Sequence, residues 1–186
     1  MSRFTITSLP LDGLFVVERK AIGDERGFLS RVFCADDLRA AGWSWPVSQI
    51  NHSLTKVRGT VRGMHFQSPP AAEAKLVSCL RGAVWDVAVD LRGDSPTFLQ
   101  WHAEELSAAN RRALLIPPGF AHGFQALEPD SELVYVHSAP HSPSHEGALN
   151  PRDPRLAIRW PQYRAAISEK DANSPMIGPD FKGITL

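Results

Sequence analysis

The stretch that decides the reading of the chain runs Arg58-Gly-Thr-Val-Arg-Gly-Met-His-Phe-Gln67, and Lys75 follows eight residues later. Val61, Met64 and Phe66 are strand formers, while Gly59 and Gly63 weaken a strand unless a bulge or a close approach explains them. Arg62 and His65 are three apart, so a regular strand sends them to opposite faces. A bulge at Gly63 brings them to the same side, which is the geometry of a site.

Working outward, the same kind of segment recurs at short intervals. Gly13–Arg19, Phe28–Phe33, Val47–Ser53, Val61–Gln67, Lys75–Leu80 and Ala83–Leu91 all read as strands. Phe98–Leu106, Ala113–Ile116, His122–Leu127 and Glu132–His137 continue the series. Turn signals such as Gly23-Asp-Glu-Arg-Gly27, Arg81-Gly82 and Pro117-Pro-Gly119 separate them. One short helix is expected over Ala35–Ala41, stopped by Gly42. Many short strands with turns between them predict an all-β sandwich or barrel. After His141 the pattern gives way to proline-rich loops with short helical turns. At 186 residues, without repeats or a linker, the chain is expected to form a single domain over 1–186.

Ala83–Leu91 is apolar on both faces. Val87, Val89 and Leu91 fall on one side, and Val84, Asp86, Ala88 and Asp90 on the other. Such a strand is buried twice, so Asp86 must be paired. Two readings stand side by side: a core aspartate bonded to backbone, or a partner of a catalytic histidine or lysine.

Composition narrows the function. Twenty basic residues balance twenty acidic ones, which predicts neither nucleic-acid nor membrane affinity. No apolar run reaches the ~20 residues that span a bilayer, and the start, Met-Ser-Arg-Phe-Thr-Ile, lacks a signal peptide's apolar region. Cys34 and Cys79 are too few for a disulfide framework, so a reduced, cytoplasmic protein is expected. A metal site would need ligands at neighbouring strand positions. His65 is followed by Phe66 and Gln67, and His137 and His141 would need a helix that Pro140 opposes. A metal-free acid/base site built from His65, Tyr135 and Lys75 is the other reading. Taken from spacing alone, Tyr135 reads more readily as a core aromatic with a satisfied hydroxyl than as an acid.

The blocks Asp24-Glu-Arg-Gly-Phe28, Gln49-Ile-Asn-His-Ser53, Arg62-Gly-Met-His-Phe66, Ala74-Lys-Leu-Val77, Arg81-Gly-Ala-Val-Trp-Asp-Val-Ala-Val-Asp90, Ile116-Pro-Pro-Gly-Phe-Ala-His-Gly-Phe124 and Ser168-Glu-Lys-Asp171 carry a resemblance. In this order they resemble the dTDP-4-dehydrorhamnose 3,5-epimerase family of cupin barrels over nearly the whole chain. The resemblance implies a homodimer of jelly-roll barrels that epimerises a nucleotide-diphosphate sugar without metal or cofactor. It implies His65 as general base, Tyr135 as proton donor, Lys75 as the enolate-stabilising cation, and Asp171, or else Asp86, as the carboxylate orienting the base. It implies substrate contacts at Arg26, Gln49, Asn51, Arg62, His122, Glu146 and Lys170. A single-carbon epimerase, a ketoisomerase or a non-catalytic sugar-binding barrel stays open on the same residues. The chain departs from the family at two places: Arg31 stands where a glutamate is usual, and His141 where an aromatic ring, usually tyrosine, is.

Overall fold

The structure is a computed structural model and describes residues 2–162 and 166–186. Thirteen strands run along the described residues: β1 Phe4–Ser8, β2 Phe15–Arg19, β3 Ala21–Asp24, β4 Gly27–Ser30, β5 Gln49–Thr55, β6 Val61–Gln67, β7 Lys75–Arg81, β8 Ala83–Asp90, β9 Trp101–Ser107, β10 Arg112–Ile116, β11 Phe120–Ala126, β12 Ser131–His137 and β13 Glu146–Ala148. Helix α1 (Ala35–Leu38) continues as a 3₁₀ turn over Arg39–Ala41, and Gly42 closes it in the left-handed region at φ 87°. A second short helix, α2, spans Glu169–Ala172.

Two antiparallel sheets face each other. One has the order β1-β2-β10-β7-β12-β5 and the other β13-β6-β11-β8-β9, so non-sequential strands become neighbours as in a jelly roll. Between them lies an apolar layer that includes Leu14, Val77, Val84, Ala88, Leu106, Leu114 and Leu133, none of them exposed. Each outer face is covered as well. Leu38 and Trp43 close over Leu76, Leu115 and Val136, while Leu149, Leu156, Ile177 and Ile184 wrap over Met64, Val87 and Val89. Strand β8 is therefore buried on both sides. Each of these large side chains contributes roughly 1.5–3 kcal/mol through burial.

Two expectations need correction, and β1 lies outside the strands expected from sequence. Strand β1 pairs with β2 from Phe4 to Ser8 although Thr5, Thr7 and Ser8 carry little apolar signal; its partner supplies the register. The strand expected over Phe28–Phe33 is one arm of a hairpin, β4 on β3, that joins neither large sheet. Past His141, Glu146–Ala148 adds to the edge of β6 instead of forming loop alone.

The bulge in β6 is present. His65 pairs with His122 and Arg62 with Phe124, so β6 spends one more residue than β11 between the two pairs. Gly63 takes φ +128°, and a Cβ built there would stand 2.5 Å from Gly123 Cα and 2.9 Å from the His122 carbonyl. Gly63→Ala combines strain with a backbone clash that neither strand can relieve, so it is expected to cost roughly 3 kcal/mol or more. Urea unfolding read against wild type checks this; a loss below about 1 kcal/mol would mean the two strands are not held together here.

Candidate active site

The two sheets part at one end around a cavity of about 540 Å³. Strand β6 supplies Arg62 and His65, β11 supplies His122 and Phe124, and the opposite wall carries Asn51 and Ser53 of β5, Lys75 of β7, and Tyr135 and His137 of β12. A smaller neighbouring pocket of about 170 Å³ shares His65, Asn51, Lys75 and His137, and adds Gln49, Glu73, His141 and Glu146.

Both cavity histidines of the five-stranded sheet are held by buried carboxylates. His65 Nε2 lies 2.8 Å from Asp171 Oδ1, and Asp171 Oδ2 accepts from the Gly63 amide at 3.3 Å. Asp171 is placed by α2, whose N-terminal Ser168 hydroxyl accepts from the Asp171 amide at 3.1 Å. With Nε2–H donated to Asp171, the His65 lone pair sits on Nδ1. Burial lowers the His65 pKa from its ordinary value. Asp171 works in the opposite direction, and the positive charges of Lys75 and Lys170 add to the lowering. The imidazole is kept as a neutral proton acceptor.

Asp86 is fully buried and meets His122 Nε2 at 2.9 and 3.0 Å. It does not pair with His65, so the aspartate beside that histidine is Asp171. Burial pushes the Asp86 carboxyl up, against the pull of His122 and Lys75. Tyr135 stands edge-on to His122, with ring centres 6.0 Å apart, and receives a bond from Ser53 Oγ at 3.4 Å. Burial raises its pKa well above the tyrosine range, so the phenol keeps its proton.

Of the substrate-contact residues expected from sequence, Asn51, Arg62 and His122 line the main cavity, and Gln49 and Glu146 line the adjoining pocket. Lys170 stands at the rim, bonded to Glu146 at 3.0 Å. Arg26 is not brought to either pocket. It lies on the β3–β4 hairpin with 83% of its side chain exposed, paired with Asp24. Arg31 binds Asp37 at 3.3 Å, and His141 lies 3.8 Å from Glu146 at the pocket edge. Sequence reasoning missed Glu73; the alternation of β12 puts His137 on the face of Tyr135 but gives it no role there. Both belong to the wall.

Comparison with known proteins gives the family. The family profile described as dTDP-4-dehydrorhamnose 3,5-epimerase matches residues 8–178. A dTDP-4-dehydrorhamnose 3,5-epimerase of Sinorhizobium fredii is 42% identical over 171 residues, 91% of this chain and 88% of the relative. The chain belongs to this family. Its fold matches the Bacillus anthracis epimerase crystallised with TDP and PPi bound, at a TM-score of 0.90 and 38% identity, covering 94% of this chain and 99% of that one. It also matches the Legionella pneumophila epimerase in complex with dTDP-4-keto-L-rhamnose, at 0.89 and 39%, covering 93% and 92%. The expected cupin-type, all-β fold is thus the fold of the family, and the chain is an isomerase of it.

The electrostatics predict a titration. His65 should titrate below the ordinary histidine value of about 6.5 when its ring protons are followed by NMR. Asp171→Asn should move the midpoint lower still, because Asp171 is the group that raises it. Since folded His65 binds its proton less readily than the unfolded chain does, its contribution to stability is complete above the unfolded value and lost as pH falls through the folded one. A midpoint above that of an unfolded histidine would contradict the geometry.

Proposed function

We propose that the chain epimerises a nucleoside-diphospho-4-keto-6-deoxyhexose, with dTDP-4-dehydro-6-deoxyglucose as the favoured substrate, at C3 and C5. The observation that carries this reading is the placement of His65 and Tyr135 on opposite sheets across one cavity that also holds Lys75. Epimerisation needs a proton taken from one face of a carbon and another returned to the opposite face.

His65, oriented by Asp171, takes the proton α to the C4 ketone, and the C–H electron pair moves into the carbonyl to give an enolate. The Lys75 ammonium faces the developing oxyanion, where a fixed charge in a water-poor cavity is most effective. The Tyr135 hydroxyl delivers its proton to the other face, and solvent restores the tyrosine. Arg62, His122, Gln49, Asn51, Glu146 and Lys170 are the candidates for holding the sugar and its diphosphate, with Arg62 and Lys170 supplying positive charge. The same residues support the mechanism without a cofactor or a metal. The two cysteines are free among the described residues, which agrees with a reduced, cytoplasmic setting.

A homodimer fits the β3–β4 hairpin, which joins neither large sheet. The β3–β4 hairpin exposes 65% of Phe28, 76% of Leu29 and 50% of Ile22. Apolar side chains on a projecting arm are covered economically by a second copy, which would also give Arg26 a phosphate to meet.

In deuterated buffer, dTDP-4-dehydro-6-deoxyglucose is expected to take up deuterium at C3 and C5, followed by NMR. His65→Ala should slow this by roughly 10²–10⁴-fold, the usual worth of a positioned base. Exchange at one carbon only would identify a single-carbon epimerase; no exchange with dTDP, UDP, CDP or GDP sugars would sink the reading. For the assembly, Phe28→Asp is expected to shift a dimer toward monomer in sedimentation velocity, and a wild-type monomer would rule the dimer out.

A further inference from the structure

Lys75 is not held alone. Its ammonium lies 3.1 Å from Glu73 Oε1, and Glu73 Oε2 accepts from His137 Nδ1 at 2.7 Å. The side chains of Lys75, Glu73 and His137 are 10%, 8% and 10% exposed, in that order. A buried carboxylate set between two nitrogen bases must be an acceptor toward both. Burial works to raise the Glu73 pKa, but His137 and Lys75 outweigh it and hold the group below the usual carboxylate range.

That ionised acceptor fixes the direction of every bond behind it. With His137 Nδ1–H given to Glu73, its Nε2 is a lone pair, and the Asn51 amide nitrogen lies 3.4 Å from it. The Asn51 carbonyl oxygen accepts from Gln49 Nε2 at 3.3 Å, and Gln49 Oε1 accepts from the His141 backbone amide at 2.8 Å. From the loop at His141 to Lys75, all donors and acceptors agree. The bonds converge on Glu73 from both sides, the His141 side and Lys75, and bonds that polarise one another in this way are stronger than the same links taken singly.

We propose that Glu73 and His137 are positioning residues for Lys75, and that their hydrogen-bond polarity fixes the ammonium where the enolate oxygen develops. This rests on the epimerase reading above. The two residues act through Lys75 and need not touch the substrate.

Glu73→Gln tests the polarity. Lysine has no acceptor, so the new amide must turn its oxygen to Lys75 and its N–H to His137. His137 then has to accept through Nδ1 and carry its proton on Nε2, where it meets the N–H of Asn51. The near-isosteric variant should therefore lose about tenfold or more in kcat for deuterium exchange, the worth of one charge-assisted hydrogen bond, with KM nearly unchanged. Adding His137→Ala removes the mismatched ring while leaving the oxygen of the introduced amide to Lys75. The double variant should lose no more kcat than the worse of Glu73→Gln and His137→Ala alone, a non-additive result for residues acting as a unit. Thermal midpoints measured in parallel separate loss of fold from loss of turnover.

Glu73→Gln turning over like wild type, a loss confined to KM, or single-variant losses that simply add in the double variant would each overturn the proposal. A wild-type protein that exchanges no deuterium would overturn the epimerase reading first, so the two failures are distinct.

Discussion

The contact between Gly63 of β6 and Gly123 of β11 is the constraint on which the rest depends. Neither position has room for a methyl group: a Cβ at Gly123 would lie 2.6 Å from Met64 Sδ and 2.8 Å from the Arg62 carbonyl. Because the backbones meet this closely, β6 can carry its extra residue without leaving the sheet. The extra residue turns Arg62 and His65 toward one cavity and buries Met64 on the other side. It also presents the Gly63 amide to Asp171, so the feature that aims the histidine helps anchor its carboxylate.

The division of labour between sheets follows from the sandwich. The five-stranded sheet brings His65, His122 and Asp86, and α2 adds Asp171 beside His65. The six-stranded sheet brings Tyr135, Lys75 and His137, and the loop before β7 adds Glu73 between the last two. Since the sheets face each other, a flat six-membered ring between them has a base on one side and an acid on the other. Sandwich packing places the two groups; local sequence does not.

How much of this could be read from sequence varied with the range of the interaction. The bulge, the doubly buried β8 and the Gly42 helix stop are local, written in glycine positions and side-chain alternation, and they stand in the structure. The His65–Asp171 contact joins residues 106 apart, and no periodicity predicts such a pairing; only resemblance to a family pointed to Asp171. Asp86 was legible as a group needing a partner, but which partner depended on the β8–β11 register, where Phe124 opposes Asp86 and His122 lies two residues away along β11. Glu73 was invisible because it sits in a loop after Ser68-Pro-Pro, where charge ordinarily means solvent. Arg26 is a different case: its motif matched, and its hairpin carries it away from the cavity of its own chain, a placement that depends on assembly and not on local sequence.

Three histidine–carboxylate pairs around one cavity are costly to bury. Asp86 is 0% exposed and Asp171 4%, and the Glu73 side chain is 8% exposed. Each would destabilise the fold by several kcal/mol if left without its partner. Leu149, Leu156, Ile177 and Ile184 wrap over β8 and β11, and the same C-terminal segment delivers Asp171 to His65. The wrap that stabilises the fold and the group that orients the base are one piece of chain. Loosening the wrap would therefore misplace the carboxylate before it unfolded the sandwich.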